Sequence, residues 1–179
     1  MENLGRIYVT NLGLYNEGIL AGTWVDLSEP ENVDENKIYS DIKLDEHYTE
    51  YVITDYDGVF GEELKKAFGN YISISQMKAI ALFFDRCINT EEDIDAFEAI
   101  CIWNDNRWID SVDMFDRGQY AWLEGITSDE DFGRYYWENH DKNVYTAYLE
   151  RYIDFEDYGR CMKEGIKDVT TENGTLWVL

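Results

Sequence analysis

The apolar positions of the 179-residue chain change period along its length. From residue 1 to about 60, short apolar runs alternate with turn residues. Arg6-Ile7-Tyr8-Val9-Thr10-Asn11 reads as a strand with Ile7 and Val9 on one face. Gly13, Asn16 and Gly18 punctuate a loop. A second strand is expected over residues 19–27 around Trp24 and Val25, and a third over 50–55 with Tyr51, Val52 and Ile53. The polar stretch 28–46 has room for a short helix, and Pro30 marks a loop or a first helical turn.

From 61 to 103 the period is helical. Leu64, Phe68, Met77, Ile80, Ala81, Phe84 and Ile88 fall largely at spacings of three and four. Ser73 and Gln76 have the spacing of a capping box. Thr90 ahead of Glu91, Glu92 and Asp93 starts a further helix, its acids facing the positive end of the dipole. The run Ala99-Ile100-Cys101-Ile102-Trp103 fits a helix or a short strand. After Asn104 the helical stripe resumes with Trp108, Val112 and Phe115, continues through 120–123, and returns over 129–139 and 144–152. Asn173-Gly174, between 168–171 and 175–179, carries the signal of a type I′ hairpin. The expected fold class is α+β in three small subdomains: a β-rich N-terminal domain over 1–60, a helical middle domain over 61–103, and an α/β C-terminal domain over 104–179 ending in a β-hairpin.

Composition adds two facts. Hydrophobic residues make up 45% and aromatics 16%, enough to bury a core. Against fifteen Lys and Arg stand thirty-eight Asp and Glu, for a net charge of −23. Solubility alone asks for a magnitude of about 2–8 in a small domain. Such a charge excludes direct binding to nucleic acid or anionic lipid, which need basic surfaces. The acids are interleaved with core-forming residues rather than gathered in a tail: 26–63 holds thirteen acids and two bases, and 91–116 nine acids and one base. No run approaches the roughly 18 apolar residues of a membrane span, and no basic leader opens the chain, so the cytoplasm is the expected compartment.

Catalytic and metal chemistry finds little support. Cys87, Cys101 and Cys161 form no CxxC pair, and His47 and His140 are the only histidines. There is no P-loop, no GxGxxG, no Gly-x-Ser-x-Gly elbow and no His-Glu-x-x-His. Asp55-Tyr56-Asp57-Gly58 has a fragment of a calcium loop without its remaining ligands, and reads better as a strand entering a turn. A carbohydrate-active enzyme needs two carboxylates about 5–10 Å apart, and thirty-eight acids nominate no pair.

Residues 7–27, containing Leu12-Gly13-Leu14-Tyr15-Asn16-Glu17-Gly18 and Gly22-Thr23-Trp24, resemble the opening of the ArdA antirestriction family. Glu50-Tyr51-Val52-Ile53-Thr54-Asp55-Tyr56-Asp57 is similar to that family's acidic Asp-Tyr segment. Tyr152-Ile153-Asp154-Phe155-Glu156-Asp157-Tyr158-Gly159-Arg160 is similar to its segment near the C-terminus. The resemblance implies an elongated protein that mimics the charge and shape of B-DNA and occupies the DNA-binding groove of type I restriction-modification enzymes, at their methyltransferase core. It implies a homodimer through the C-terminal domain, no catalysis and no cofactor.

On that reading the functional residues form a surface. The expected acids are Asp26, Glu29, Glu31, Asp34, Glu35, Asp41, Asp45, Glu46, Asp55, Asp57, Glu62, Glu63, Asp105, Asp110, Asp113, Asp116, Glu124, Asp129, Glu130 and Asp131. The expected dimer contacts are Tyr148, Tyr152, Phe155 and Tyr158. Two alternatives stay open at this point: an acidic interaction module for another basic DNA-binding partner, and a two-carboxylate carbohydrate-active enzyme.

Overall fold

The structure, a computed structural model, describes residues 3–144 and 146–178. It is α+β, with two small antiparallel sheets and a C-terminal β-hairpin. The chain divides into two compact units. The first runs to Asp93 and takes in Asn106–Trp108, and the second holds Ile94–Asp105 and the chain from Ile109 onward.

The first unit contains β1 (Arg6–Asn11), α1 (Leu12–Asn16), β2 (Gly22–Asp26), a 3-10 turn (Pro30–Asn32), α2 (Glu35–Asp41), β3 (Tyr51–Asp57), α3 (Gly61–Phe68) and α4 (Ile74–Cys87). β1 is the central strand of the order β2-β1-β3. Its alternation is functional in the packing sense: Ile7 and Val9 are fully buried, and Val25 lies opposite Ile7. They share the unit's buried core with Ile53, Phe60, Leu64, Met77, Ile80 and Phe84. Trp108 meets the rings of Phe83 and Phe84 edge-on, which ties Asn106–Trp108 to this unit.

Two local devices fix the unit's joints. The buried Asn11 caps α1 by accepting from the Leu14 N–H at 3.0 Å, and donates from Nδ2 to the carbonyls of Ile42 and Lys43, both at 3.1 Å. The end of β1 is thereby anchored to the end of α2. Ser73 and Gln76 form the expected capping box at the start of α4. β2 starts at Gly22, later than the alternation proposed. Ile19 and Leu20 are exposed, and the Ile19 N–H is spent on the Leu14 carbonyl. β3 runs to Asp57 and turns at Gly58, as its Asp-Tyr-Asp-Gly sequence indicates.

Helix α5 (Glu91–Trp103) begins in the first unit and continues in the second. Thr90 and Asp93 cap it reciprocally, the Thr90 hydroxyl accepting from the Asp93 N–H and the Asp93 carboxylate from the Thr90 N–H. Ala99–Trp103 is therefore the last turn of a helix and not a strand. Trp108, in the first unit, opens α6 (Trp108–Asp116), and the second unit continues with the rest of that helix, β4 (Tyr120–Glu124), α7 (Asp129–Tyr136), a π-helical turn (Trp137–Asp141), a 3-10 segment (Ala147–Tyr152), α8 (Phe155–Lys163), β5 (Asp168–Thr170) and β6 (Gly174–Val178). Its sheet has the order β4-β6-β5, with Leu176 of the central strand packed among Ala99, Ile100 and Met114.

Two expectations are corrected here. Residues 120–123 are not helical. Gly118 takes a φ of +60 after α6, and Tyr120–Glu124 then pairs with β6 as an edge strand. The hairpin is real, but its turn is not type I′ at Asn173-Gly174. The Thr171 N–H reaches the Gly174 carbonyl at 2.8 Å, which leaves Glu172-Asn173 as the loop. Neither Asn173 nor Gly174 has a positive φ. Glycine is needed at 174 because a Cβ there would stand 2.6 Å from the Leu123 carbonyl oxygen and 2.7 Å from the Trp122 ring.

Candidate functional site

None of the twenty expected acids is buried. Sixteen are exposed, and Asp26, Glu63, Asp129 and Asp131 are half-buried. Twelve belong to the first unit and eight, from Asp105 to Asp131, to the second. The first unit presents them at the ends of its elements. Asp34 caps α2 by accepting from the Lys37 N–H, and Glu62 and Glu63 occupy the first turn of α3. Acids accumulate at such helix starts because the unpaired N–H groups there favour negative charge.

The acids fall into groups by what already holds them. Some are neutralised in place. Arg6 donates from Nε to Asp57 at 2.7 Å, Arg117 pairs with Asp113 at 2.9 Å and Arg134 with Glu130 at 2.7 Å. Asp129 takes Lys163 at 3.2 Å. Others are held by backbone dipoles rather than by cations. Asp45 accepts from the N–H groups of His47 and Tyr48, both at 2.8 Å, and Asp26 from the Ser28 N–H. A further group stands unengaged: Glu31, Asp41, Glu46, Asp105 and Glu124 are exposed and make no ion pair or side-chain hydrogen bond among the described residues.

Ionisation follows these contacts. The backbone N–H groups of Tyr48 and His47 hold the Asp45 carboxyl below the usual range. The Arg6 guanidinium, helped by the Gly58 N–H, does the same for Asp57. Glu35 accepts from the Tyr39 hydroxyl and, with burial, pushes that phenol up to about 12. Both shifts favour the charged carboxylate, at Asp45 and at Asp57. The surface has field strength without a poised acid–base pair.

The four aromatic positions of the last third separate. Tyr148 and Tyr152 are 64% and 72% exposed, Tyr158 is half-buried, and Phe155 is buried within its own unit under the Arg134 guanidinium. The Tyr158 hydroxyl donates to Asp141, and burial together with that carboxylate raises its pKa. Val144 and Leu149 add to the exposed apolar side chains beside Tyr148 and Tyr152.

Sequence reading missed the cations that subtract from the acidic surface. The Glu130–Arg134 and Asp113–Arg117 pairs are visible as i,i+4 spacings. Arg6 opposite Asp57 is visible only once the register of β1 and β3 is known. Among the described residues no three His, Cys, Asp or Glu side chains are placed to hold a metal ion. Cys87, Cys101 and Cys161 are free thiols. No helix among the described residues is long and apolar enough to cross a membrane.

Among curated proteins none matches the chain. The family model described as antirestriction protein (ArdA) matches residues 7–176.

Proposed function

Since the chain belongs to the ArdA family of antirestriction proteins, we propose that it acts on restriction-modification enzymes by imitating B-DNA in charge and shape. On this reading it occupies the DNA-binding groove of type I enzymes at the methyltransferase core, as a homodimer, without catalysis or a cofactor. Its three functional parts are the β-rich segment 1–60, the helical segment 61–103 and the C-terminal segment 104–179, which pairs with a second copy.

The observation that carries the reading is the set of exposed carboxylates fixed on folded units, several pinned by caps and turns and several unengaged. Duplex DNA presents about one negative charge per 1.7 Å of axis, and basic clefts bind it largely through that field. Phosphate contacts position a duplex without reading its sequence. A decoy that supplies only the field therefore inhibits enzymes with different target sequences alike.

The test follows from that last point. Purified chain is added to two type I enzymes that recognise unrelated DNA sequences, and cleavage of each one's own substrate is followed. Comparable inhibition of both supports the decoy. Inhibition of one alone points to recognition of a particular protein surface instead.

A further inference from the structure

The outer face of the first unit's sheet carries two aromatic rings among carboxylates. Residues directly opposite one another on paired strands point to the same side. Arg6, Tyr8, Trp24, Asp26, Asp55 and Asp57 therefore share one face, and the buried Ile7 and Val9 point to the other. The rings of Tyr8 and Trp24 have centroids 5.2 Å apart. Trp24 is 40% exposed, and Asp55 and Asp57 are exposed as well.

One half of this face already holds a guanidinium. Arg6 lies over the Trp24 ring at 4.8 Å and donates from Nε to Asp57 at 2.7 Å. A guanidinium suits that combination because it is planar and weakly hydrated, so it stacks on a ring while its edge donates to a carboxylate. Tyr8 and Asp55, opposite one another on β1 and β3, repeat the combination of ring and carboxylate. The Tyr8 ring leans toward β2, where a Cβ on Gly22 would stand 2.6 Å from it, and so away from Asp55. Asp55 accepts from the Tyr56 N–H at 2.9 Å, and among the described residues no cation pairs with Asp55 or covers Tyr8.

We propose that Tyr8 and Asp55 seat an arginine side chain of the partner enzyme, beside the seat that Arg6 fills. This rests on the decoy reading above and adds a contact that a diffuse field does not supply. The face favours a cationic occupant, since Asp26, Asp55 and Asp57 stand on it against Arg6 alone. A groove built to hold phosphates presents arginines of this kind. The carboxylate's share of the contact is screened by salt, whereas stacking on the ring is short-ranged and changes little with it.

Binding of the full chain to a type I methyltransferase core, followed across a salt series, tests the seat. Tyr8→Leu keeps apolar bulk and removes the ring, so it should bind about fivefold more weakly at every salt concentration, with the salt slope unchanged. Tyr8→Phe keeps the ring and should bind as the unaltered chain does. Asp55→Asn should bind more weakly and reduce the salt slope by about one. Undiminished binding of Tyr8→Leu, or an equal loss in Tyr8→Phe, would overturn the seat while leaving the decoy in place. The free chain gives a second measurement without the enzyme. Titration with N-acetylarginine amide should shift the Tyr8 ring resonances more than the lysine counterpart does, and Asp55→Asn should abolish the difference. An equal response to the two would overturn the guanidinium seat. Failure of the unaltered chain to bind the core at any salt would remove the decoy reading, and the partner arginine with it.

Discussion

Gly133 of α7 and Gly159 of α8 cross backbone against backbone. A Cβ on Gly133 would lie 2.1 Å from the Phe155 carbonyl oxygen, and one on Gly159 would lie 1.9 Å from the Asp129 carbonyl oxygen. Both glycines are helical and buried, so this closeness has no other outlet. The crossing sets Arg134 over Phe155 and brings Lys163 to within 3.2 Å of Asp129 and 3.1 Å of Asp168. Gly159→Ala should destabilise the second unit by about 3 kcal/mol, since the obstructing atoms are main chain and cannot swing away. Urea unfolding followed by tryptophan fluorescence checks it. An unshifted midpoint would show that the helices separate at little cost.

Arg6 neutralises Asp57 on an open strand pair, with side chains 43% and 53% exposed. Exposed pairs of this kind add little stability. Arg6→Ala should therefore move the melting temperature by no more than about 3 °C. It also frees one carboxylate and makes the chain more negative. Binding to a basic methyltransferase groove should tighten about two- to threefold. Weaker binding would mean that Arg6, which also covers the Trp24 ring at 4.8 Å, takes part in recognition directly.

Glu31, Asp41, Glu46, Asp105 and Glu124 should contribute in small, separable steps. Neutralising any one to its amide should cost about twofold in affinity, and all five together about 30-fold. Titration calorimetry of the single and combined variants gives the comparison. One substitution that removes most of the binding would replace a distributed field with a specific contact.

Much of this organisation can be read from the sequence, and the exceptions have physical causes. β1 is legible because the buried Ile7 and Val9 alternate with the partly exposed Arg6 and Tyr8, whereas the burial of the polar Thr10 and Asn11 at its end leaves no such mark. The start of α4 is legible because its cap is local, Ser73 to Gln76. β4 is not. Tyr120, Ala121 and Trp122 are all partly covered, so no alternation shows and the run resembles the helix before it. Asn173-Gly174 misleads because the glycine answers to β4, which is distant in sequence, rather than to its own turn. The acidic surface is legible as composition but not as net field. Which acids are cancelled depends on partners such as Arg6 and Lys163 that only the fold supplies.

Tyr56 offers a pH test of the first unit. Burial pushes its phenol up to about 12, against about 10 in the unfolded chain. A pKa raised by folding gives stability that is complete below pH 10 and is lost as pH rises through 12. Tyr39, raised to about 12 beside Glu35, adds in the same window and with the same sign. Stability measured by urea unfolding should fall between about pH 10 and 12. Tyr56→Phe should flatten that fall. An equally steep fall in the variant would assign the loss to other groups.

The central claim is that the chain and duplex DNA compete for one basic groove through charge. Displacement of a fluorescent duplex from a type I methyltransferase core by the purified chain, across a salt series, measures this most directly. The account predicts complete displacement at low salt, with no ternary complex, and an affinity for the chain that weakens steeply as salt rises. A stable complex holding duplex and chain together, or displacement indifferent to salt, would contradict it.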